Sequence, residues 1–133
     1  MELTVCRKLR SKITSLEARI ADVQSTAITA RRIDFVPRAA ATESTPEKLT
    51  RLIVDGEREL EALREEFAIA AGELAAEIFQ RVADVKTARI LLLRYVDCLS
   101  FEDITRATNF SRGHVFKLHR DGCRKFLGTS ANC

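Results

Sequence analysis

The side chains with the most distinctive chemistry are concentrated in the last third of the chain. Residues 86–133 carry nine Lys or Arg and four Asp or Glu, a net charge of +5, whereas residues 47–85 carry five and ten, a net charge of −5. Cationic side chains pair with anionic groups such as phosphate, and arginine also makes two parallel hydrogen bonds to a planar acceptor. The candidate binding residues are Arg106, Ser111, Arg112, Gly113, His114, Lys117, Arg120 and Arg124.

These residue types suit a duplex nucleic acid when they follow the start of a helix. Ser111 predicts a helix N-cap, and the free N–H groups and positive dipole of that end bind phosphate. Arg112 is long enough for a bidentate contact with guanine, and Gly113 lets the backbone approach DNA without reading a base. His114 and Lys117 are expected to reach bases. Three further cations are expected to hold phosphates: Arg106, Arg120 and Arg124.

Plainer interpretations exist for the same residues. A capped three-helix unit with basic side chains also occurs as a protein-binding module, and Arg112 alone is equally consistent with simple solvation. Tyr95, Phe116 and His119 fit packing roles better than base stacking or ligand binding. No nucleophile or carboxylate pair has a distinctive setting, so the sequence predicts no enzyme, no cofactor and no metal site.

Three short helices are expected to position the candidate residues. A first helix over about residues 87–96 buries one face, and Ser100 with Asp103 marks the start of a second. Asn109 fits a left-handed turn before the third helix, because Asn tolerates that conformation better than most residues. The residues expected to form the shared core are Ala88, Leu91, Leu92, Tyr95, Leu99, Ile104, Ala107, Val115, Leu118 and Phe126.

Two longer helices are expected upstream. Apolar residues recur at steps of three and four over residues 5–27 and 49–78, the pattern of amphipathic helices of about 25 and 35 residues. Residues 28–46 lose this rhythm and contain both prolines, so they predict a connector, with a new helix capped by Thr45 and starting at Pro46. Because one narrow apolar stripe cannot bury itself, the two helices are expected to form a hairpin, a homodimer contact, or both.

The sequence therefore predicts an all-α chain of three parts. Residues 1–83 form the helical hairpin or coiled coil, residues 84–127 the tri-helical domain, and residues 128–133 a disordered tail. Gly56 and Gly72 are each expected to weaken the second long helix by about 1 kcal/mol relative to Ala. Aromatic residues make up only 6% of the chain and Gly and Pro total seven, which favours long helices over short strands.

The spacing of the cysteines and the hydropathy of the chain bear on its location. The four cysteines show no paired short spacing and only two histidines accompany them. This argues against a zinc site or a disulfide framework and fits a reducing cytoplasm. No apolar run has membrane-spanning length and the first residues mix charged with apolar side chains, so neither a membrane segment nor a signal peptide is expected.

The segment RYVDCLSFEDITRATNFSRGHVFKLHR resembles region 4 of sigma factors, with its pattern RY-x-x-x-x-S-x-x-[DE]-I followed by S-R-x-x-V. It is still more similar to the sigma-region-4-like domain of small regulators encoded by phages and prophages. The resemblance implies a tri-helical DNA-binding domain and a role in phage or prophage transcription. The expected location is then the cytoplasm of the bacterial host, and host RNA polymerase is left open as a further partner. The positions that read a promoter element in sigma factors are here Arg112, Gly113, His114 and Lys117.

Three features depart from that pattern. Cys98 stands where such turns often have glycine, and Thr105 and Thr108 replace residues that are usually apolar or small. Gly113 removes a side chain that is often used to read bases. These departures bear on the target DNA sequence more than on the fold.

Three functions are compatible with these features. The first is a sequence-specific transcriptional regulator that dimerises through its N-terminal helices, which places two recognition helices on half-sites about 34 Å or a multiple apart. The second is a DNA-packaging component like the phage small terminase subunit, which joins a helix-turn-helix to a coiled coil and assembles into rings. The third is an interaction module that docks on RNA polymerase and recruits a partner. Oligomeric mass separates the first two, and full DNA affinity after replacing Arg112 and Lys117 by Ala would favour the third.

Overall fold

The computed structural model describes residues 2–32 and 46–128, and within these ranges the chain forms helices and no strands. A π-helix, Leu92–Val96, follows the third α-helix without a break. The predicted all-α fold class is therefore confirmed. The α-helices are α1 Val5–Arg32, α2 Pro46–Arg81, α3 Val85–Leu91, α4 Phe101–Thr108 and α5 Arg112–Leu127.

Some of the predicted boundaries fall at the edge of the described residues or beyond it. α1 continues to Arg32, a few residues into the predicted connector, and α2 begins at the predicted Pro46. The N-cap predicted at Thr45, the rest of the connector and residues 129–133 of the predicted tail lie outside the described residues.

The chain groups into two compact units. The central unit is Ser11–Glu66, and the terminal unit joins Met1–Arg10 to Phe67–Cys133. The division predicted at residue 84 was based on charge and on the sequence motif, whereas these two units are defined by contacts. The predicted division therefore stays a prediction.

In the central unit, α1 and α2 run antiparallel with a close approach at Gly56. A Cβ atom at Gly56 would lie 2.9 Å from Cγ1 of Ile20, which is shorter than real Cβ contacts. The glycine therefore serves the contact between the helices, which offsets the cost in helix propensity expected from the sequence. An ion pair of 3.2 Å between Arg64 and Glu17 spans the same two helices. The buried apolar residues of this unit are Ile13, Leu16, Ile20, Leu49 and Leu60.

In the terminal unit, three fully buried side chains join α3, α4 and α5. Ile90, Ile104 and Val115 are each 0% exposed and form one cluster. Each of the three short helices contributes one aliphatic residue to this cluster, because none can bury its apolar face alone. The half-buried side chains packed around the cluster are Leu93, Leu99, Phe101, Phe110 and Leu118.

The far end of α5 packs against α3 through another glycine. A Cβ atom at Gly122 would lie 2.9 Å from Cγ2 of Thr87 and 3.0 Å from Cγ of Leu91. Arg81 then donates from Nη1 to the carbonyl oxygen of Phe126 at 2.8 Å, with its guanidinium 5.0 Å from the centre of that ring. These contacts hold the C-terminal half of α5 against α3 and the end of α2.

The first residues of the chain belong to the same unit. Cys6 is fully buried, and Arg7 donates to the carbonyl oxygen of Arg94 at 3.4 Å. The guanidinium of Arg10 lies 4.6 Å from the ring centre of Phe67. The start of α1 therefore supports the π-helix from which Arg94 projects.

The helix predicted over residues 87–96 is present, but its second half is the π-helix, in which Asp97 N donates to Leu92 O at 3.0 Å, five residues back. One detail of the predicted core is wrong. Ala107 is exposed and Thr108 is buried in its place. The Thr108 hydroxyl donates to Ile104 O at 2.7 Å and accepts from Phe110 N at 3.3 Å, so its burial leaves no unsatisfied polar group.

The cysteines also depart from expectation. Cys6 and Cys98 carry free thiols, but Cys123 is disulfide-bonded. The sequence argued against a disulfide framework and did not predict the bond at Cys123. Across the described residues, no helix combines the length and the apolar character needed to cross a membrane.

Candidate nucleic-acid interface

Each helix that carries candidate residues begins at a serine cap. Ser100 Oγ accepts a hydrogen bond of 3.2 Å from Asp103 N at the start of α4, and Ser111 Oγ accepts one of 3.2 Å from His114 N at the start of α5. Between them, Asn109 ends α4 in the left-handed region at φ 59 and ψ 17. The two N-caps and the left-handed Asn109 were predicted from the sequence and are confirmed.

The turn before α4 is fixed by Arg94. Its Nη1 donates to Leu99 O at 3.0 Å, and its guanidinium lies 4.2 Å from the ring centre of Phe101. Cys98 in this turn has φ 59, the left-handed conformation that glycine adopts most easily. The departure at Cys98 is therefore accommodated by strain in the backbone rather than by a different turn, with Arg94 holding the loop closed.

The two faces of α5 have opposite chemistry. Its buried side contains Val115, Gly122, Cys123 and Phe126. Steps of four, three and four residues keep positions on one side of an α-helix. The exposed row that follows these steps, hereafter the basic row, is Gly113, Lys117, Arg120 and Arg124.

Three of the four residues in the basic row are cations. Within the described residues, Lys117, Arg120 and Arg124 form no ion pair with a carboxylate. Lys117 and Arg124 are seven residues apart, which spans roughly 10 Å along the helix. The row therefore offers three positive charges in a line to a polyanion without first breaking an internal contact.

Arg106 differs from the basic row because it is already paired. Its Nη2 lies 3.0 Å from Glu102 Oε1 and its Nη1 lies 3.5 Å from Asp103 Oδ1. All three side chains are exposed, so this pairing contributes little to stability. Arg106 can exchange its carboxylates for a phosphate, but it gains less from doing so than an unpaired cation.

The first turn of α5 carries the remaining candidates. Arg112 lies over Phe116, with 5.5 Å from its guanidinium carbon to the ring centre. It borders a groove of about 300 Å³ with the α4 residues Glu102, Thr105 and Arg106. Arg112 therefore leans towards α4 rather than straight outward.

His114 and the helix end complete the set. The ring of His114 meets Phe110 edge-on at 4.8 Å between centres. Ser111 binds the amide of His114, which leaves the amides of Arg112 and Gly113 without an intrahelical acceptor, as in the first turn of any α-helix. All eight candidate residues are exposed, and they lie on α4, at the N-cap of α5 and along α5 itself.

Sequence reasoning missed the side chains that hold the basic row in place. His119, from the half-buried edge of α5, has its Nε2 2.7 Å from the Tyr95 hydroxyl, and Phe101 meets the His119 ring edge-on at 5.0 Å. Burial, followed by the charge of Arg94, lowers the pKa of His119, and burial raises the pKa of Tyr95. The sequence assigned Tyr95 and His119 to packing, but no spacing rule pairs residues 24 positions apart.

Two further observations bear on the kind of site this is. No cluster of three or more His, Cys, Asp or Glu side chains with the geometry to hold a metal ion occurs in residues 2–32 and 46–128. The chain matches no protein-family model, no curated protein and no solved structure.

Proposed function

We propose that this protein binds double-stranded DNA in a sequence-specific manner and regulates transcription. The observation that carries the proposal is the basic row on α5, which faces solvent opposite the buried side of the helix and has no internal acidic partner within the described residues. An exposed cationic helix supported by two shorter helices is the arrangement with which helix-turn-helix proteins enter the major groove.

The proposed DNA contacts fall into two groups, phosphate contacts and base contacts, according to their distance from the start of α5. Arg120 and Arg124, which lie beyond the first turns of α5, hold phosphates and contribute affinity on every sequence. Arg106 adds a phosphate contact from α4 after release from Glu102 and Asp103. The amides at the start of α5 bind a further phosphate, because they combine free N–H groups with the positive end of the helix dipole.

Base readout falls to the first two turns of α5. Arg112 reaches guanine O6 and N7. Because its side chain already stacks on Phe116 in the free protein, it has less rotamer entropy to lose when it binds a base. His114 and Lys117 contact neighbouring bases. A Cβ atom at Gly113 would meet nothing within 4 Å, so internal packing does not require a glycine there. The missing side chain lets the helix backbone approach a base pair more closely.

The biological setting is proposed from the sigma-region-4 resemblance of residues 94–120. It points to transcription in a phage or prophage, in the cytoplasm of the bacterial host, with RNA polymerase as a further partner. A homodimer would present two α5 helices to half-sites about 34 Å or a multiple apart. A packaging component and a polymerase-docking module are the alternatives.

The test is selection of bound fragments from a random duplex pool, followed by affinity measurements on the selected sequence. Arg112→Ala should lose roughly ten- to a hundredfold in preference for the selected sequence, because a bidentate base contact discriminates by about 1–3 kcal/mol. Arg124→Ala should weaken binding to all sequences alike. Recovery of no enriched sequence, with full affinity retained by Arg112→Ala, would reject sequence-specific binding.

A further inference from the structure

The central unit carries an open groove along one side of its two helices. The groove is made of two adjoining parts of about 450 and 280 Å³, which share Leu16, Arg19 and Glu59. Its floor combines apolar side chains of α1 and α2: Leu16, Ile20, Val23, Leu52 and Leu63.

The floor of the groove is incompletely buried. Leu52 is 50% exposed, and Val23 and Leu63 are half-buried. A pair of helices has only one shared seam, so apolar residues beside the seam stay in water until a further layer covers them. Covering these side chains would remove apolar surface from water at about 25 cal/mol per Å².

The two rims of the groove carry opposite charges. Lys12 and Arg19, seven residues apart, form the rim on α1, and Asp55 and Glu59, four residues apart, form the rim on α2. None of these four side chains has an ion-pair partner among the described residues. The groove thus has one basic edge and one acidic edge.

We propose that a second copy of this chain covers the groove, with the twofold axis parallel to the helices. This axis exchanges α1 and α2 across the interface, so the basic rim of each copy faces the acidic rim of the other. An axis perpendicular to the helices would instead set α1 on α1 and bring Lys12 and Arg19 of both copies together. Charge complementarity therefore selects the first arrangement.

The proposed axis also fixes which residues meet. Arg19 and Glu59 border the same part of the groove, and rotation about an axis along the helices keeps their level. Arg19 of one copy therefore lies opposite Glu59 of the other, and the contact occurs twice in the dimer. Each α1 then packs antiparallel to α2 of the other copy, as it does to its own α2, which makes a four-helix bundle.

The test is charge exchange at these two positions, read by light scattering on the full chain without DNA. The unmodified protein should show the mass of two 14.9 kDa chains. Arg19→Glu and Glu59→Arg should each weaken self-association by roughly tenfold or more, because each puts two like-charge pairs in the interface. Mixing the two variants should restore a dimer containing one copy of each, since both contacts are then of opposite charge.

Control variants separate the interface from the fold. Glu61→Arg lies on the opposite side of the helix pair and should leave the dimer unchanged. Leu52→Glu in the groove floor should abolish it, whereas Val54→Glu, at a residue 41% exposed outside the groove, should not. Helix content by circular dichroism should be equal in all variants.

Three results would overturn the proposal. The first is the mass of a single chain at every protein concentration measured by light scattering. The second is the mass of a ring of many chains. The third is a mixture of Arg19→Glu and Glu59→Arg that does not associate. Since no DNA is present, each of these outcomes is independent of whether α5 binds a duplex.

Discussion

The hydroxyl oxygen of Tyr95 lies 2.7 Å from Nε2 of His119 and joins the π-helix to the middle of α5. The two rings stack with 5.7 Å between centres, and Tyr95 is 5% exposed. A hydroxyl and an imidazole nitrogen can each donate or accept, so the Tyr95 hydroxyl and His119 Nε2 satisfy each other inside an apolar core. The orientation of α5, and with it the direction in which the basic row faces, therefore depends in part on this polar contact.

The burial of His119 predicts a loss of stability in mild acid. The pKa of His119 in the folded protein is held below its ordinary value of 6.5 by burial and by the charge of Arg94. The unfolded chain therefore binds this proton at a higher pH than the folded chain. The free energy of unfolding should fall as pH decreases below about 6.5, and this loss should end at the folded-state pKa.

Thermal unfolding between about pH 7.5 and pH 5 checks this expectation. The unmodified protein should lose several degrees in Tm, and His119→Gln should show a flatter profile with a lower Tm at neutral pH. His114→Gln, at an exposed residue, should keep the original slope. If Tm depends on pH equally in the His119→Gln variant and in the unmodified protein, groups other than His119 cause the acid sensitivity.

The left-handed backbone at Cys98 predicts a stabilising substitution. An L-residue in this conformation costs roughly 1–2 kcal/mol relative to glycine, and Cys98 has φ 59. Cys98→Gly should therefore raise the free energy of unfolding by about 1 kcal/mol in urea titrations, after allowance for the greater freedom of glycine in the unfolded chain. Cys98→Ala removes the thiol but keeps the strain, so it should not stabilise the protein.

The ends of the short helices could be predicted from the sequence because their causes are local. Ser100, Asn109 and Ser111 act on backbone groups within four residues, and their residue types report those roles directly. The unusual backbone at Cys98 was also indicated, because the pattern that this segment resembles often has glycine there.

The rest of the terminal unit depends on packing that no local rule describes. The π-helix shifts the register of the helix before α4, and Thr108 takes the inward position expected for Ala107 because its hydroxyl finds two local partners. The positions of the eight exposed candidates follow from helical spacing, but the contacts of Tyr95, Arg94 and Phe101 that orient them arise only in the folded chain. Whether the candidates bind DNA stays a prediction.

Two glycines of α5 predict opposite responses to the same substitution. Gly122→Ala would place its Cβ 2.9 Å from Thr87 and 3.0 Å from Leu91, and overpacking of this kind costs about 1–3 kcal/mol. Gly113→Ala meets nothing within 4 Å and should stabilise the helix by up to about 1 kcal/mol. Urea denaturation of both variants tests the packing of α5, and equal effects would show that α5 does not pack against α3 through Gly122.

The most direct test of the central claim is the salt dependence of duplex binding by the basic row. Arg120→Gln and Arg124→Gln should each reduce the slope of log affinity against log salt by about 0.9, because each removes one phosphate contact. Arg58→Gln, which removes an exposed cation from the central unit, serves as the matched control and should leave the slope unchanged. We expect the two reductions in slope to add up in the double variant. Unchanged affinity and slope after both substitutions would contradict DNA binding through α5.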